Sequence, residues 1–316
     1  MYNIAQMEEK DIIEAIDLWH KNYSIYFKED VLPDVFMNGK GNLENYLMDR
    51  IKSGNAIIIK KNGFVAGYFS WFYDDFHNEK STFCPMIGHC GMENDKENIY
   101  IQLYNYVSKE WIKNNAFNHL WMINYNDNLL KNFSYDIGFG SYVIDLYINN
   151  GSIINTSGQY KVTQAYEKDS ELLYNLVEES RHYYLDAPIF LKREVIPKEN
   201  IKEIIKNNVV FLAWDNNYPI GFMNIGINSE DDIIQLIVSG DAVIDKLGAY
   251  VKMEYRNKGI GKTLLSKVFQ YCNDNGIKNI HVDFETANTH ARKFWPKYFK
   301  PKILSVRRTV NKDANI

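Results

Sequence analysis

One pattern occurs twice in the 316-residue sequence, and this repetition limits the possible folds more than any other feature. Ile4–Leu18 (IAQMEEKDIIEAIDL) aligns with Val162–Leu176 (VTQAYEKDSELLYNL), so that Gln6 and Asp11 recur as Gln164 and Asp169. Each copy has a short strand-like run followed by the apolar spacing of an amphipathic helix. A repeat of this length indicates two copies of one structural unit.

Further blocks repeat in the same order. Ile51–Gly67 corresponds to Ile205–Gly221, and each block has the turn residues of a β-hairpin between two apolar runs. The later correspondences are Trp111–Asn115 with Tyr271–Asn275, Asn128 with Asn288, and Phe139 with Phe299. Asn149–Gly158 (NNGSIINTSG) is rich in turn-forming and small polar residues, as is typical of a linker. The repeat therefore predicts two domains, at residues 1–150 and 159–316.

A glycine-containing stretch, Val243–Asn275, is the best candidate for a binding site. Apolar and β-branched residues up to Val251 predict a strand, and the apolar spacing after Gly261 predicts a helix. Between them, Arg256, Gly259 and Gly261 form an R-x-x-G-x-G pattern. Glycine lets backbone approach a ligand closely, and the first N–H groups of a helix favour an anion. We therefore expect a phosphate group here.

Two common phosphate loops are excluded by single residues. A P-loop ending at Gly261, Lys262 and Thr263 would need glycine at position 256, which is arginine. The dinucleotide fingerprint would need glycine at position 264, which is leucine. The remaining pattern resembles the acyl-CoA pyrophosphate loop, Q/R-x-x-G-x-G/A, of the GNAT superfamily of N-acetyltransferases.

A second block strengthens this resemblance. Asn279–Phe284 reads as a strand, and the residues after it resemble the second conserved block of the superfamily; they are Asn288, Ala291, Phe294, Trp295 and Phe299. The resemblance is strongest over residues 243–301. It implies an α/β (α+β) fold of two tandem GNAT-like domains, each a mixed, mostly antiparallel sheet flanked by helices.

The resemblance also implies acetyl-CoA as co-substrate. The strand Ala249, Tyr250 and Val251 would pair with the pantetheine arm. The following loop would bind the pyrophosphate, and a second-block asparagine would complete the site; these residues are Arg256, Asn257, Lys258, Gly259, Ile260, Gly261, Lys262, Thr263 and Asn288.

The first half is expected to lack this loop. In the alignment, Lys96, Ile99 and Ile101 take the places of Arg256, Gly259 and Gly261. Three acidic residues, Glu93, Asp95 and Glu97, would repel an anion. We therefore expect residues 1–150 to form a degenerate GNAT-like domain that serves as scaffold or substrate wall.

Acyl transfer to an amine needs a base, and the predicted strand His281–Glu285 carries carboxylates. Its alternation directs Val282 and Phe284 to the core and His281, Asp283 and Glu285 to the other face. The resemblance makes Asp283 the first candidate and Glu285 the second. An ordinary carboxyl is a weak base for an ammonium ion, so the reaction requires a raised pKa or a water relay.

The proton donor is where the sequence departs from the superfamily. Many relatives have a tyrosine directly after the position of Phe294, and here that residue is Trp295. Indole cannot protonate a thiolate. Three alternatives remain: Tyr298 donates the proton, water donates it, or the protein does not catalyse the reaction. The glycine expected before Phe299 is also missing.

The resemblance places the acceptor beneath the irregular stretches Ser24–Asn42 and Arg181–Asn200. Candidate lining residues are Tyr183, Tyr184, Asp186 and Phe190. The predicted function is N-acetylation of a small-molecule amine. A non-catalytic CoA-binding or interaction module, and acetylation of a protein or peptide N-terminus, are the alternatives.

Composition limits the partners. A formal net charge of -4 and a pI near 6.0 give no support for a nucleic-acid partner, and we expect neither a signal peptide nor a membrane-spanning apolar run. We expect a cytoplasmic monomer or homodimer. Cys84, Cys90 and Cys272 include no C-x-x-C pair, which speaks against disulfides, and we interpret His89 beside Cys90 as structural and not as a metal ligand.

Overall fold

The computed structural model describes residues 1–26, 40–149, 159–227, 242–245 and 247–313. These residues form two compact units. Among them, the first unit takes Met1–Asp145 and the chain from Pro301 onward, whereas the second takes the chain from Leu146 to Lys300. This division differs from the predicted boundaries of 1–150 and 159–316, because the C-terminal strand of the chain lies in the first unit.

The first unit contains two groups of strands. An antiparallel sheet has the order β1-β2-β3-β6, formed by β1 (Tyr2–Gln6), β2 (Ala56–Lys61), β3 (Phe64–Ser70) and β6 (His89–Gly91). A second run of strands, β4-β5-β7-β15, comprises β4 (Phe72–Phe76), β5 (Glu79–Cys84), β7 (Asn118–Asn124) and β15 (Lys300–Thr309). In this run β5 and β7 are parallel and the other pairs are antiparallel.

The helices of the first unit cover these sheets and bury a common core. They are α1 (Ile12–Tyr26), α2 (Lys40–Lys52), α3 (Lys96–Lys113) and α4 (Asn128–Asp136). Trp19, Leu47 and Tyr68 are buried together with Ile303 of β15. The last strand of the chain is therefore part of the first core.

The second unit repeats this order of elements. Its sheet runs β14-β12-β11-β10-β9, with β13 paired to β11, and comprises β9 (Lys161–Gln164), β10 (Val209–Asp215), β11 (Tyr218–Ile227), β12 (Ala242–Ile244), β13 (Ala249–Val251) and β14 (Asn279–Glu285). Its helices are α5 (Ser170–Leu185), α6 (Lys198–Asn207), α7 (Ile260–Asp274) and α8 (Thr289–Phe294). Strand β8 (Gly140–Asn149) lies next to β14.

Local details repeat as well. The Asp11 and Asp169 carboxylates each accept a hydrogen bond at 3.0 Å from a backbone N–H three residues earlier, which caps the start of α1 and of α5 in the same way. Both hairpins contain a β-bulge, between Ile59 and Lys60 and between Ala213 and Trp214. The predicted mixed α/β fold is confirmed.

One detail of the alignment was wrong. Asn288 caps α8, its side chain accepting from the Ala291 N–H at 3.1 Å, and in the first unit Asp127 caps α4 by accepting from the Leu130 N–H at 3.0 Å. The counterpart of Asn288 is therefore Asp127 and not Asn128, because a cap is defined by its position before the helix.

Candidate active site

The site lies along strand β13 of the second unit. Strand β12 pairs with β14 in parallel, whereas β13 pairs with β11, matching Phe222 with Tyr250. Asn224 holds the turn between β12 and β13: its side-chain amide donates to the Asp245 carbonyl at 2.6 Å and its N–H donates to the Gly248 carbonyl at 2.8 Å. Since β13 is paired with β11 alone in the described sheet, its other edge is open.

The open edge of β13 offers backbone hydrogen-bonding groups. The Gly248 carbonyl accepts from Asn224 and the Lys252 N–H donates to Ile220, so these alternate residues face β11. In an antiparallel pair the intervening residues direct their N–H and C=O groups away from the partner. Ala249 therefore presents both groups at the open edge, and Val251 presents its N–H there, while the Val251 carbonyl accepts from Arg256.

A turn leads from β13 into helix α7. Gly259 caps the helix with φ +82°, and Asn257 before it has φ +62°; both values lie in the left-handed region. The Thr263 N–H donates to the Gly259 carbonyl at 3.0 Å, which is the first turn of the helix. The N–H groups of Ile260 and Gly261 have no acceptor within the helix, so this end favours an anion.

Gly261 is needed for a different reason. A Cβ atom at this position would lie 3.2 Å from the Phe294 ring. The lack of a side chain therefore lets the start of α7 pack directly on α8.

Contacts fix the Arg256 side chain and leave part of its guanidinium free to donate hydrogen bonds. Its Nε donates to the Val251 carbonyl at 3.1 Å, and its guanidinium carbon lies 4.2 Å from the centre of the Tyr183 ring. Its Nη1 is buried and has no hydrogen-bond partner among the described residues. Because a buried guanidinium N–H needs an acceptor, this atom suits an anionic ligand.

These elements line one cavity of about 420 Å³ in the second unit. Of the predicted cofactor-binding residues, Lys258 and Thr263 are not in its lining; those that are comprise Ala249, Tyr250, Val251, Arg256, Asn257, Gly259, Ile260, Gly261, Lys262 and Asn288. The backbone edge, the helix N-terminus and the spare guanidinium donor can together bind a ligand that carries amide and phosphate groups.

A smaller, more polar cavity of about 280 Å³ lies where β12 and β14 end. Asp283 lines it and is exposed. Across it, the Arg193 guanidinium stacks on the Tyr184 ring at 3.8 Å and donates to Glu285 at 3.2 Å. Burial and the neighbouring Glu285 raise the pKa of Tyr184, so its hydroxyl stays protonated.

The two carboxylate candidates have different surroundings. Asp283 faces the polar cavity, whereas Glu285 is bound to Arg193 and is largely buried, its side chain 13% exposed. By strand alternation, His281 shares the face of β14 that carries these two carboxylates. Unlike Asp283, its ring is buried, and it stacks at 4.6 Å on the ring of Tyr147, which lies on the neighbouring strand β8.

Trp295 and Tyr298 both line the larger cavity. Trp295 is buried, 5.6 Å from the Phe299 ring, and also reaches the polar cavity. Tyr298 is half-buried beside Phe294 at 5.2 Å, and burial raises the pKa of its hydroxyl.

The predicted acceptor-lining residues separate into three groups. Tyr183 and Tyr184 line the larger cavity, Asp186 lines an adjacent open groove with Tyr250, and Phe190 is 74% exposed and lines none of these cavities. Of the stretch Ser24–Asn42, residues 27–39 lie outside the described residues.

Sequence reasoning did not identify Arg193 or Asp245, both of which line the polar cavity. Arg193 lies in the stretch Arg181–Asn200 that was assigned to the acceptor, and an arginine there was a usable signal. Asp245 follows β12 at a turn whose position depends on Asn224, and the sequence gives no sign of that contact.

In the first unit the corresponding place is filled by side chains. Lys96, aligned with Arg256, is buried, and its ammonium donates to the Asp127 carboxylate at 2.7 Å and to the Tyr26 hydroxyl at 2.6 Å. Helix α3 already begins at Lys96, directly after the 3-10 turn Glu93–Asp95, so the loop at residues 256–259 has no counterpart here. Ile99, aligned with Gly259, packs against Gly67.

Strands β6 and β7 of the first unit are also bridged. His89 Nε2 donates to the Met122 carbonyl at 2.8 Å, and its Nδ1 accepts from the Tyr100 hydroxyl at 2.7 Å. The cavity left among these residues is about 40 Å³, against about 420 Å³ in the second unit.

Among the described residues, no helix has both the length and the apolar character needed to cross a membrane.

Comparison with known proteins identifies the family of the second unit. Residues 171–299 match the model of the Acetyltransferase (GNAT) family. A GCN5-related N-acetyltransferase from Sphaerobacter thermophilus is similar over 98% of this chain and 95% of its own, with a TM-score of 0.60 and 12% identity.

A GCN5-related glucosamine N-acetyltransferase region of a fungal multi-domain GH3 beta-N-acetylglucosaminidase is similar over 97% of this chain and 38% of its own, with a TM-score of 0.52 and 11% identity. At such identities these likenesses concern the fold alone. Curated protein sequences gave no significant match. The match identifies the second unit as a GNAT acetyltransferase domain, and the repetition of its elements in the first unit makes the chain a tandem of two such folds.

Proposed function

We propose that the second unit transfers an acetyl group from acetyl-CoA to the amine of a small molecule. One observation carries this proposal: the open edge of β13 and the start of α7, whose Gly259 cap supplies no side-chain acceptor, line the same cavity. A ligand with an amide-containing arm and a diphosphate needs both features side by side. The family supports acyl transfer in general, and the donor and the acceptor are the proposed part.

The binding residues have separate roles. Ala249 and Val251 would pair with the pantetheine amides, as a further strand pairs with a sheet edge. The N–H groups at Ile260 and Gly261 and the guanidinium of Arg256 would hold the pyrophosphate. When bound, acetyl-CoA supplies the reactive thioester.

We assign different roles to the two carboxylates, Asp283 and Glu285. Asp283 faces the polar cavity, so we assign it the role of accepting a proton from the acceptor amine, directly or through water. Glu285 is bound to Arg193, and we assign it the role of fixing that guanidinium against Tyr184. Tyr298 lines the larger cavity and stays a candidate donor of a proton to the leaving thiolate.

The first unit is proposed to be a scaffold without acyl-CoA. Its aligned site holds the Lys96–Asp127 ion pair and the His89 bridge, which occupy the space that a pantetheine arm would need. All predicted acyl-CoA contacts therefore lie in the second unit.

A thiol-release assay tests the activity. The protein is incubated with acetyl-CoA and a panel of polyamines, amino acids, aminoglycosides and peptides, and free thiol is followed together with CoA binding by calorimetry. We expect release with at least one small amine. Binding without release for any amine would favour a non-catalytic CoA-binding module, for which Trp295 is the supporting feature, and release with peptides alone would favour N-terminal acetylation.

A further inference from the structure

The two cavities of the second unit share one wall. Among the described residues, five line both the larger cavity and the polar cavity: Tyr184, Ala249, Asn288, Ala291 and Trp295. If the acyl donor lies in the larger cavity and the amine in the polar one, the thioester bond is broken and the amide bond is formed at this wall. Groups on the wall are therefore closest to the reacting atoms.

Tyr184 is the one hydroxyl on this shared wall. Ala249 and Ala291 have no polar side-chain atoms, Trp295 carries an indole, and Asn288 carries an amide. An amide does not exchange protons near neutral pH, and an indole N–H is a donor only. A hydrogen bond from an O–H group to the leaving sulfur can therefore come from Tyr184.

Two contacts, one to its ring and one to its hydroxyl, fix the Tyr184 side chain. The Arg193 guanidinium covers its ring at 3.8 Å, and Glu285 holds Arg193 at 3.2 Å. The Asn288 side-chain amide donates to its hydroxyl oxygen at 3.4 Å. This contact uses the oxygen as an acceptor, which leaves the O–H proton available to a ligand.

Two neighbouring tyrosines have weaker claims. Tyr183 donates its own proton to Asn288 Oδ1 at 3.2 Å, and its ring lies under Arg256. Tyr298 lines the larger cavity and is not in the lining of the polar one. Neither hydroxyl stands where both substrates meet.

We propose that Tyr184, positioned by Arg193 and Asn288, donates a hydrogen bond to the sulfur of the bound coenzyme. Tyr184 thus provides the hydroxyl that Trp295 cannot. This inference rests on the proposed function, because it requires coenzyme in the larger cavity.

A binding cycle tests the contact without turnover. Calorimetry measures the affinity of CoA and of desulfo-CoA, which lacks the sulfur, for the wild type, Tyr184→Phe, Tyr183→Phe and Tyr298→Phe. The measurements are made at pH 9, where part of an alkyl thiol is ionised. Tyr183→Phe is the matched control, because it removes a hydroxyl that contacts the same asparagine.

We expect removal of the sulfur to weaken wild-type binding about fivefold more than it weakens binding to Tyr184→Phe, the scale of one hydrogen bond. The two control variants should keep the wild-type ratio. In the thiol-release assay, Tyr184→Phe should lower kcat and leave the KM for acetyl-CoA nearly unchanged.

The outcomes separate the two proposals. An unchanged ratio in Tyr184→Phe, or the same change in Tyr298→Phe or Tyr183→Phe, overturns the role of Tyr184 while CoA binding stands. Failure of the wild type to bind either ligand removes the proposed function itself.

Discussion

At the scale of single residues, two glycines flanking helix α7 have the same geometry and different expected effects. Gly259 before the helix has φ +82° and Gly276 after it has φ +70°, and a Cβ atom added to either would meet no other atom within 4 Å. A side chain at either site is strained by about 1–2 kcal/mol. Of the two, Gly259 lines the cavity.

Gly259→Ile should therefore lower CoA affinity about tenfold or more, because the new side chain disturbs the N–H groups that would face the pyrophosphate. Gly276→Ile is the control. Both variants should lower the free energy of unfolding by similar amounts, and Gly276→Ile should leave CoA affinity unchanged. Calorimetry and chemical denaturation measure the two effects. Equal CoA affinity in the two variants would remove the loop from the binding site.

Residue chemistry was the most predictable part of the site, and residue position the least. The spacing of the glycines and Arg256 is a local signal, and it is what led to the proposed anion site. The pairing of Arg193 with Glu285 joins residues 92 positions apart, and no local pattern encodes such a contact. Tyr184 and Tyr298 cannot be ranked from sequence, since the ranking depends on which cavities each one lines.

At the scale of secondary-structure elements, the two units differ in the strand that precedes the long helix: β13 of the second unit has an open edge, whereas β6 of the first is bridged to β7. In the first unit His89 joins β6 to β7, and His119 at the start of β7 is buried as well. Burial lowers the pKa of His89 to about 4 and that of His119 to about 3. Both histidines are therefore neutral in the folded protein and would take up protons on unfolding below pH 6.5.

Acidification should for this reason destabilise the first unit. The contribution of each histidine is present above pH 6.5 and is lost as the pH falls toward the folded-state pKa, by about 2 kcal/mol between pH 6.5 and 5. Denaturation across this pH range measures the slope. His89→Gln should flatten it, and His77→Asn, a change at an exposed turn residue with φ +54°, should not. A slope that is insensitive to His89 would contradict this account.

The elements themselves were largely predictable, because their signals are local. The repeated helix starts, the hairpins and the strand-turn-helix around Gly259 follow from periodicity and turn residues. The open edge of β13 was not, since it depends on β12 and β14 pairing with each other. Pairing between distant strands is a tertiary property that short sequence windows do not contain.

At the scale of the whole molecule, the last strand completes the first unit. Strand β15 pairs with β7 from Ile303 opposite Asn124 to Thr309 opposite Asn118, and Arg307 Nε donates to Asn118 at 2.6 Å. The repeat in sequence suggested that each half keeps its own strands. The structure shows instead that the last strand in the sequence belongs to the first unit and not to the second.

Truncation after Lys300 should therefore destabilise the first unit. It removes Ile303 from the first core and exposes the edge of β7, so hydrogen-exchange protection of β7 amides should fall about tenfold or more. Truncation after Asn311 keeps β15 and is the control. Unchanged protection in β7, or an equal loss in the β10–β11 hairpin, would argue against this role for β15.

The central claim, that the second unit alone holds the coenzyme, is tested most directly by hydrogen-exchange mass spectrometry of the full chain with and without saturating CoA. We predict slower exchange in peptides covering Ala249–Leu264 and no change in peptides covering His89–Leu103. Protection of His89–Leu103, or of neither segment, would contradict the account.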